Sequence, residues 1–342
     1  MDVSIIIPNL NGGSMLLESL GSAFAQSGPT LETIVVDNGS KDGSPEAVER
    51  AFPEARVLAF HENLGFAPAC NRGAAAARGR YLLFLNNDAV LPPRAVEMLV
   101  AAAEADAEAA MWQPVIVDEA GTVETAGFLA THAGFLWPLR APPKASPSTV
   151  FAVTAACLLV RRSVFEALEG FREPYFAYFE DADLSWRARM AGWEVRVVAD
   201  VVVSHRHSRT TRSVLGATEP YYLGYRNRFR SILANTSGFT LLRMLPQHIG
   251  ACALIVCGFI LAGRFRAAFA ILRGVVWPLT HTSEILRQRR TTQAARGVED
   301  RDVIRAELVT RLTPAKALEL FRGNVARWMP AEPDQNRLNA RG

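Results

Sequence analysis

YLLFLNNDAVLPP, residues 81–93, runs an unbroken apolar stretch straight into Asn86, Asn87 and Asp88. A short run of that composition reads as a strand buried on both faces, and such strands belong to parallel sheets covered by helices. Asp88 then emerges at the carboxyl end of a central strand, which in open α/β sheets is where ligands bind. Pro92 and Pro93 put the next helix start several residues further on, so capping that helix does not explain Asp88. A hard divalent cation takes oxygen ligands, commonly one or two protein carboxylates together with phosphate oxygens, and Asp88 fits that role.

The same pattern extends to either side. VSIIIP (3–8), ETIVVDNGS (32–40), ARVLAF (55–60) and WQPVIV (112–117) alternate with helical patterns near 14–25, 45–51, 67–78 and 93–104. Strands alternating with helices predict βαβ units and a parallel sheet. The polar residues ending the strands, Pro8, Asn9, Asp37, Asn38, Asn86, Asn87 and Asp88, should gather at one mouth. Neither GxxxxGK[ST] nor, in the first loop PNLNGGS, GxGxxG is present, which excludes a P-loop and a dinucleotide fingerprint. Asp37, in VVDNGSKDGS, reads either as the head of an Asx-type turn or as a carboxylate accepting from a base or ribose, and the two are compatible. HENLGFAPACNRGAAAARGR (61–80) reads either as a βα loop with Gly65 at a special backbone angle or as backbone and Asn donors, Asn71 among them, near a nucleotide.

A second acidic stretch is FEDADLSWRAR (179–189), with Glu180, Asp181 and Asp183 where a helix begins. Asp183 and Arg187 stand at i and i+4, acids suit a helix N-terminus, and Gly192 should stop the helix. Read alone, this is a capping cluster. Further on, ADVVVSH ends another β-rich run at His205; His207 would point to the opposite face of the same strand.

Charge and hydropathy divide the chain. Residues 1–200 carry 15 basic and 25 acidic side chains, and residues 201–342 carry 22 and 9, so the second part should meet something anionic. IGACALIVCGFILAG (249–263) lacks charge over 15 residues, short of the roughly 20 needed for a crossing, and predicts instead an interfacial helical pair. Arg243, Arg264, Arg266 and Arg273 would then face phosphates, with Trp277 at headgroup level. The competing reading is a buried hairpin or the interface of a homo-oligomer. Arginines mixed into a long apolar run fit lipid better than a phosphate track, so nucleic acid is not expected as a partner. Four cysteines without a CxxC pair read as free thiols in a reducing compartment, and MDVSIIIPNLN does not read as a secretory signal.

VSIIIPNLN, TIVVDNGSKDGS, ENLGFAPACNRG, YLLFLNNDAVLPP, FEDADLSWRARMAGW and VVVSHRHS, in this order and spacing, resemble family 2 glycosyltransferases, especially the bacterial rhamnosyltransferase-like branch that builds cell-surface polysaccharide. The likeness covers about residues 3–230. It implies the α/β GT-A fold, a mostly parallel central sheet flanked by helices, with a catalytic domain over 1–235; beyond the likeness, composition predicts a helical membrane-associating region over 236–330 and a polar, disordered tail over 331–342. It implies an inverting transfer of a sugar, with rhamnose a candidate, from a UDP- or dTDP-sugar to a glycan or polyisoprenoid-linked acceptor. A cytoplasmic enzyme, peripheral on the inner face of the plasma membrane, would suit such an acceptor. The alternative is a non-catalytic GT-A-fold scaffold in a surface-glycan assembly.

Carried over by residue, Asp37 would contact the uracil or thymine, with Pro8, Asn9 and Asn38 in the same pocket. Asn86, Asn87 and Asp88 stand where the family has its DxD-type motif. Asp88 becomes the principal carboxylate on Mg²⁺ or Mn²⁺, and His205 the second ligand. Asp181 matches the general base, while Glu180 would orient the acceptor or raise the base's pKa. Arg209, with Arg206 and Arg212, would help neutralise the leaving diphosphate, and Arg226 and Asn227 would face the site. Two departures leave the acceptor unnamed: Arg172 stands where an Asp is usual, and TAAC (154–157) lacks a common Gly.

Overall fold

The computed structural model describes residues 1–206, 215–311 and 313. His207, Arg209 and Arg212 lie outside the described residues. Along the chain the elements are β1 Val3–Asn9, α1 Gly13–Phe24, β2 Leu31–Asp37, α2 Ser44–Ala51, β3 Arg56–Ala59, α3 Phe66–Ala76, β4 Tyr81–Leu85, β5 Ala89–Val90, α4 Ala95–Glu104 and β6 Ala109–Val117. The short strands β7 Val123–Thr125, β8 Phe128–Thr131, β9 Leu136–Pro138 and β10 Ser148–Thr149 fill a stretch whose sequence had offered no fold. Then come β11 Cys157–Arg161, α5 Arg162–Ala167, α6 Glu180–Met190 and β12 Glu194–His205. A helical part follows: α7 Glu219–Asn235, α8 Gly238–Leu261, α9 Phe265–Thr280, α10 Thr282–Ala294, α11 Asp300–Val303 and, last, β13 Val309–Thr310.

The main sheet runs β10-β12-β6-β11-β4-β1-β2-β3, with β5 paired to β12 and β7 to β6; β13, β8 and β9 form a second, three-stranded sheet. Strands β4, β1, β2 and β3 are mutually parallel, as are β6 and β12, and β11 runs antiparallel between the two groups. Alternate residues serve opposite faces. Leu82 and Phe84 enter a core with α3 and α6, while Tyr81, Leu83 and Leu85 enter a core with α1 and α4. A run apolar at every position is what a strand covered on both sides requires.

After β1, β2 and β3 are laid down in order, β4 returns to the other side of β1. That reversal is the switch point at which an open sheet leaves a crevice beyond its carboxyl ends. Asn9, at the end of β1, and Asn87, just past β4, meet there, Asn87 Nδ2 donating to Asn9 Oδ1 at 2.9 Å.

One expectation is revised. The apolar run at 249–263 is part of α8, a helix of 24 residues that starts at Gly238 and carries Pro246 within it. At 1.5 Å per residue it measures about 36 Å, so it is long and apolar enough to cross a membrane by length and composition. The polar stretch around Arg243 to His248 stays helical because Met244, His248 and Cys252 pack inward. Outward, Leu254, Ile260, Leu261, Phe265 and Phe269 are exposed. Trp277 stacks on His281 and lies beneath the guanidinium groups of Arg226 and Arg230.

Candidate active site

A cleft of about 770 Å³ opens at the switch point. Pro8, Asn9, Asn38 and Gly65 line one end, Asn86, Asn87, Asp88 and His205 the middle, and Glu180 and Asp181 a further wall. Most of the residues singled out from sequence therefore converge. Asp37, Asn71 and Arg226 do not line it. Asp37 stands behind the wall and holds Asn9, which does, whereas Asn71 and Arg226 hold Phe171, Pro174 and Tyr175, one step further back.

Asp37 is buried, its Oδ1 accepting from Asn9 Nδ2 at 2.9 Å and its Oδ2 from the Ser40 amide at 3.0 Å. This is the Asx-type turn, and it fixes the side chain of Asn9. Asn38 in turn donates to Asn63 Oδ1 and the Gly65 carbonyl and accepts from the Leu64 amide, which ties down the loop after β3. Gly65 has φ 98°, and a Cβ there would stand 2.6 Å from the Phe176 ring, so glycine is required twice over. Asn71 pins Phe171 through both its amide groups.

The centre of the cleft carries the strongest electrostatics. β5, immediately after Asp88, pairs antiparallel with the end of β12, setting His205 opposite Ala89. His205 Nε2 comes to 3.1 Å from Asp88 Oδ1 and 3.1 Å from Asn86 Nδ2, and Nδ1 lies 3.2 Å from Glu124 Oε2. Burial disfavours charge on this imidazole, but the hydrogen bonds to Asp88 and Glu124 override it and raise the pKa to about 9. Glu124, on β7, was missed in the sequence because it lies in the stretch without readable periodicity. Its signal is structural, an acid behind a histidine.

This donor set fits a divalent cation. Neighbouring ligands at right angles, each about 2.1–2.2 Å from a metal, stand about 3 Å apart, which is the separation of Asp88 Oδ1 and His205 Nε2. Among the described residues Asn86 Oδ1 is buried without a hydrogen-bond partner, a hard oxygen free to bind. Glu124 behind His205 is the carboxylate–imidazole pairing that orients metal-bound histidines.

At the start of α6 the three acids separate into different states. Asp183 is fully buried; Oδ2 accepts from Arg187 Nε at 2.7 Å and Arg172 Nε at 3.2 Å, and Oδ1 from Tyr175, Ser231 and Asn235. Burial alone would raise its pKa, but the two guanidinium groups bring it to about 2. Arg172, the departure from the family pattern, is thus a second countercharge. Asp181 faces the cleft, with Oδ2 accepting from the Ala155 amide at 3.1 Å and Oδ1 from the Ala182 amide at 2.7 Å. Burial still raises its pKa. Glu180 is raised far more, first by burial and then by Asp181, and its Oε2 has no hydrogen-bond partner. Burial and the neighbouring Asp181 both favour the neutral form of Glu180, which eases the repulsion among three adjacent acids.

Phe176, Tyr178 and Phe179, which lead into α6, all have left-handed backbones, with φ of 64°, 69° and 73°. Each such residue costs about 1 kcal/mol or more. Asn227 on α7 holds them, its Nδ2 facing the carbonyls of Tyr175, Ala177 and Tyr178 at 2.7–3.0 Å, while Arg226 donates to those of Pro174 and Tyr175. Arg226 therefore braces the turn before Asp181.

Comparison with known proteins bears on the family and the fold. The description "Glycosyl transferase family 2" matches residues 4–169, a span that ends before Asp181 and His205. The N-acetylglucosaminyl-diphospho-decaprenol L-rhamnosyltransferase of Mycobacterium tuberculosis is 29% identical over 237 residues, covering 60% of this chain and 76% of the relative. The O-antigen biosynthesis protein RfbC of Myxococcus xanthus is 31% identical over 238 residues, covering 65% of this chain and 19% of its own length. Among solved structures, S. aureus TarS 1-349 in complex with UDP-GlcNAc superposes with a TM-score of 0.58 at 18% identity, covering 86% of this chain and 91% of that one. Mannosyltransferase PcManGT from Pyrobaculum calidifontis, in complex with GDP-Man and Mn²⁺, gives 0.51 at 20% identity over 86% and 85%. At such identities these structures show the shared fold.

Proposed function

The chain belongs to glycosyl transferase family 2, in its rhamnosyltransferase-like branch, as a nucleotide-sugar-dependent glycosyltransferase, and from that premise we propose an inverting transfer with Asp181 as general base. The observation that carries this reading is the carboxylate of Asp181, held by two backbone amides in the same cleft as Asp88 and His205. The acceptor hydroxyl oxygen attacks the anomeric carbon and forms the new glycosidic bond, its proton passes to Asp181, and the bond from that carbon to the nucleoside diphosphate breaks. Asn9, Asn38 and Gly65 shape the nucleotide end. The donor is a UDP- or dTDP-sugar, with rhamnose as the candidate sugar.

Asp88, His205 and the oxygen of Asn86 would hold Mg²⁺ or Mn²⁺, which would offset the charge that builds on the leaving diphosphate. Glu124 keeps the imidazole turned toward that site. The test is calorimetric titration of UDP and dTDP with Mn²⁺ and with a chelator. Asp88→Ala should reduce the affinity in Mn²⁺ to the chelator level, and Glu124→Gln should weaken the metal by about 10–100-fold. Equal nucleotide affinity with and without metal in the unaltered protein would contradict the metal assignment.

The acceptor is a hydroxyl of a glycan or of a lipid-linked sugar in cell-surface polysaccharide synthesis, reached from the cytoplasmic face of the membrane. Support comes from the exposed apolar surface of α8 and α9 alongside exposed Arg243, Arg266 and Arg273. Sedimentation with vesicles containing anionic lipid should carry the protein down, and Leu254→Glu should weaken that binding by about tenfold or more, since burying a leucine contributes roughly 1.5–3 kcal/mol. Indistinguishable sedimentation of the two proteins would remove α8 from the membrane contact.

A further inference from the structure

We propose that Arg228 recognises the phosphate of a prenyl-linked acceptor; the inference deepens the transferase reading and rests on it. Arg228, on α7, lines the same cleft. Its guanidinium lies 4.5 Å from the ring centre of Phe135, 4.8 Å from that of Tyr225 and 5.6 Å from that of Phe179. Nε and Nη1 are buried and, among the described residues, have no hydrogen-bond partner, while the guanidinium also hydrogen-bonds the Tyr225 side chain. Among the described residues no carboxylate pairs with it, and the titratable side chains it influences are neutral: Tyr225, Cys252, and His248, which burial first and Arg228 second push down to about 3.

A half-buried cation whose neighbours are aromatic rings and neutral groups, with two of its nitrogens shut off from water, lacks a countercharge that an anion in the cleft would supply. Two unpartnered nitrogens of one planar guanidinium match two oxygens of a phosphate. The donor's diphosphate has its own recognition elsewhere, at Asp88, His205 and Asn86. The aromatic wall under Arg228 continues into the helical part, since Phe135 packs on His248 of α8 with ring centres 5.0 Å apart, and α9 lies against α7 at Gly274. The outward surfaces of those helices expose Leu254, Ile260, Phe265 and Phe269. An acceptor whose hydrocarbon lies along that surface brings its phosphate to Arg228. The ligand class is therefore a prenyl phosphate or diphosphate bearing the acceptor sugar.

The test titrates the full chain with farnesyl diphosphate, farnesol, inorganic pyrophosphate and Mn²⁺ with UDP or dTDP, using the unaltered protein, Arg228→Met and Arg228→Lys. Farnesyl diphosphate should bind Arg228→Met about 10–100-fold more weakly, as expected for loss of charge-assisted hydrogen bonds, with partial recovery in Arg228→Lys. Farnesol and the nucleotides should bind all three proteins within about twofold. Unchanged affinity of Arg228→Met for farnesyl diphosphate overturns the proposal. So does an equal loss for the nucleotides, which would move Arg228 to the donor side, or pyrophosphate binding as tightly as farnesyl diphosphate with the same dependence, which would make this a free-phosphate site. Arg228-dependent farnesyl diphosphate binding in a protein that binds no nucleotide would instead retire the transferase reading and leave the anion site standing.

Discussion

Asp181→Asn is expected to lower the rate of transfer by about 10²–10⁴-fold while leaving the affinity for UDP or dTDP unchanged. Asparagine fills the same space and its oxygen can still accept from the Ala155 amide, so the fold around TAAC persists. What is lost is the ability to take a proton. Burial raises the pKa of Asp181 above the ordinary carboxylate value of 3.8, so rate should fall on acidification at a pH higher than a free aspartate would give, and that limb should be absent from the residual activity of the variant. Single-turnover transfer measured beside calorimetric nucleotide binding separates the two effects. A transfer rate equal to that of the unaltered protein would return Asp181 to the role of a helix cap.

Asp183→Ala is expected to destabilise the folded protein by about 3–5 kcal/mol, the range for removing one partner of a buried ion pair. Arg187 and Arg172 would lose their countercharge, and the hydroxyls of Tyr175 and Ser231 and the amide of Asn235 their acceptor. The pH dependence has a definite sign. The folded carboxyl titrates at about 2 and the unfolded one near 3.8, so protons favour the unfolded chain. The contribution is complete above about pH 4 and is lost as pH falls through 2. Denaturant titrations at pH 7 and pH 3 should show that acid loss shrinking in Asp183→Ala, and a stability unchanged at pH 7 would rule out the network.

The sheet was legible because β4 is apolar at every position and the residue types change abruptly at Asn86. Local composition and chain order were enough to bring Pro8, Asn9, Asn38, Asp88, Asp181 and His205 to one cleft. Less legible was which of two adjacent polar residues faces inward. Asp37 and Arg226 carry the motif signal, yet their side chains support the cleft from behind, while Arg228, two positions on, lines it. Helical phase over so short a span depends on tertiary packing. Glu124 lay in a region of two- to four-residue strands, too short for any period to register, and its role follows only from the pairing of β7 with β6. The helical part was foreshortened for a related reason: a proline and an arginine look like a boundary until the surface they pack against is known.

The turn at 176–179 has a bearing on engineering. Its three left-handed residues invite glycine, the usual remedy for backbone strain, and a stability screen would favour such changes at Phe176 or Phe179. The same changes would widen the range of conformations open to the segment immediately before Asp181, which Asn227 now narrows to one. Variants selected for melting temperature would then drift toward proteins that keep their substrates and lose turnover. Libraries meant to improve this enzyme are better directed away from that turn.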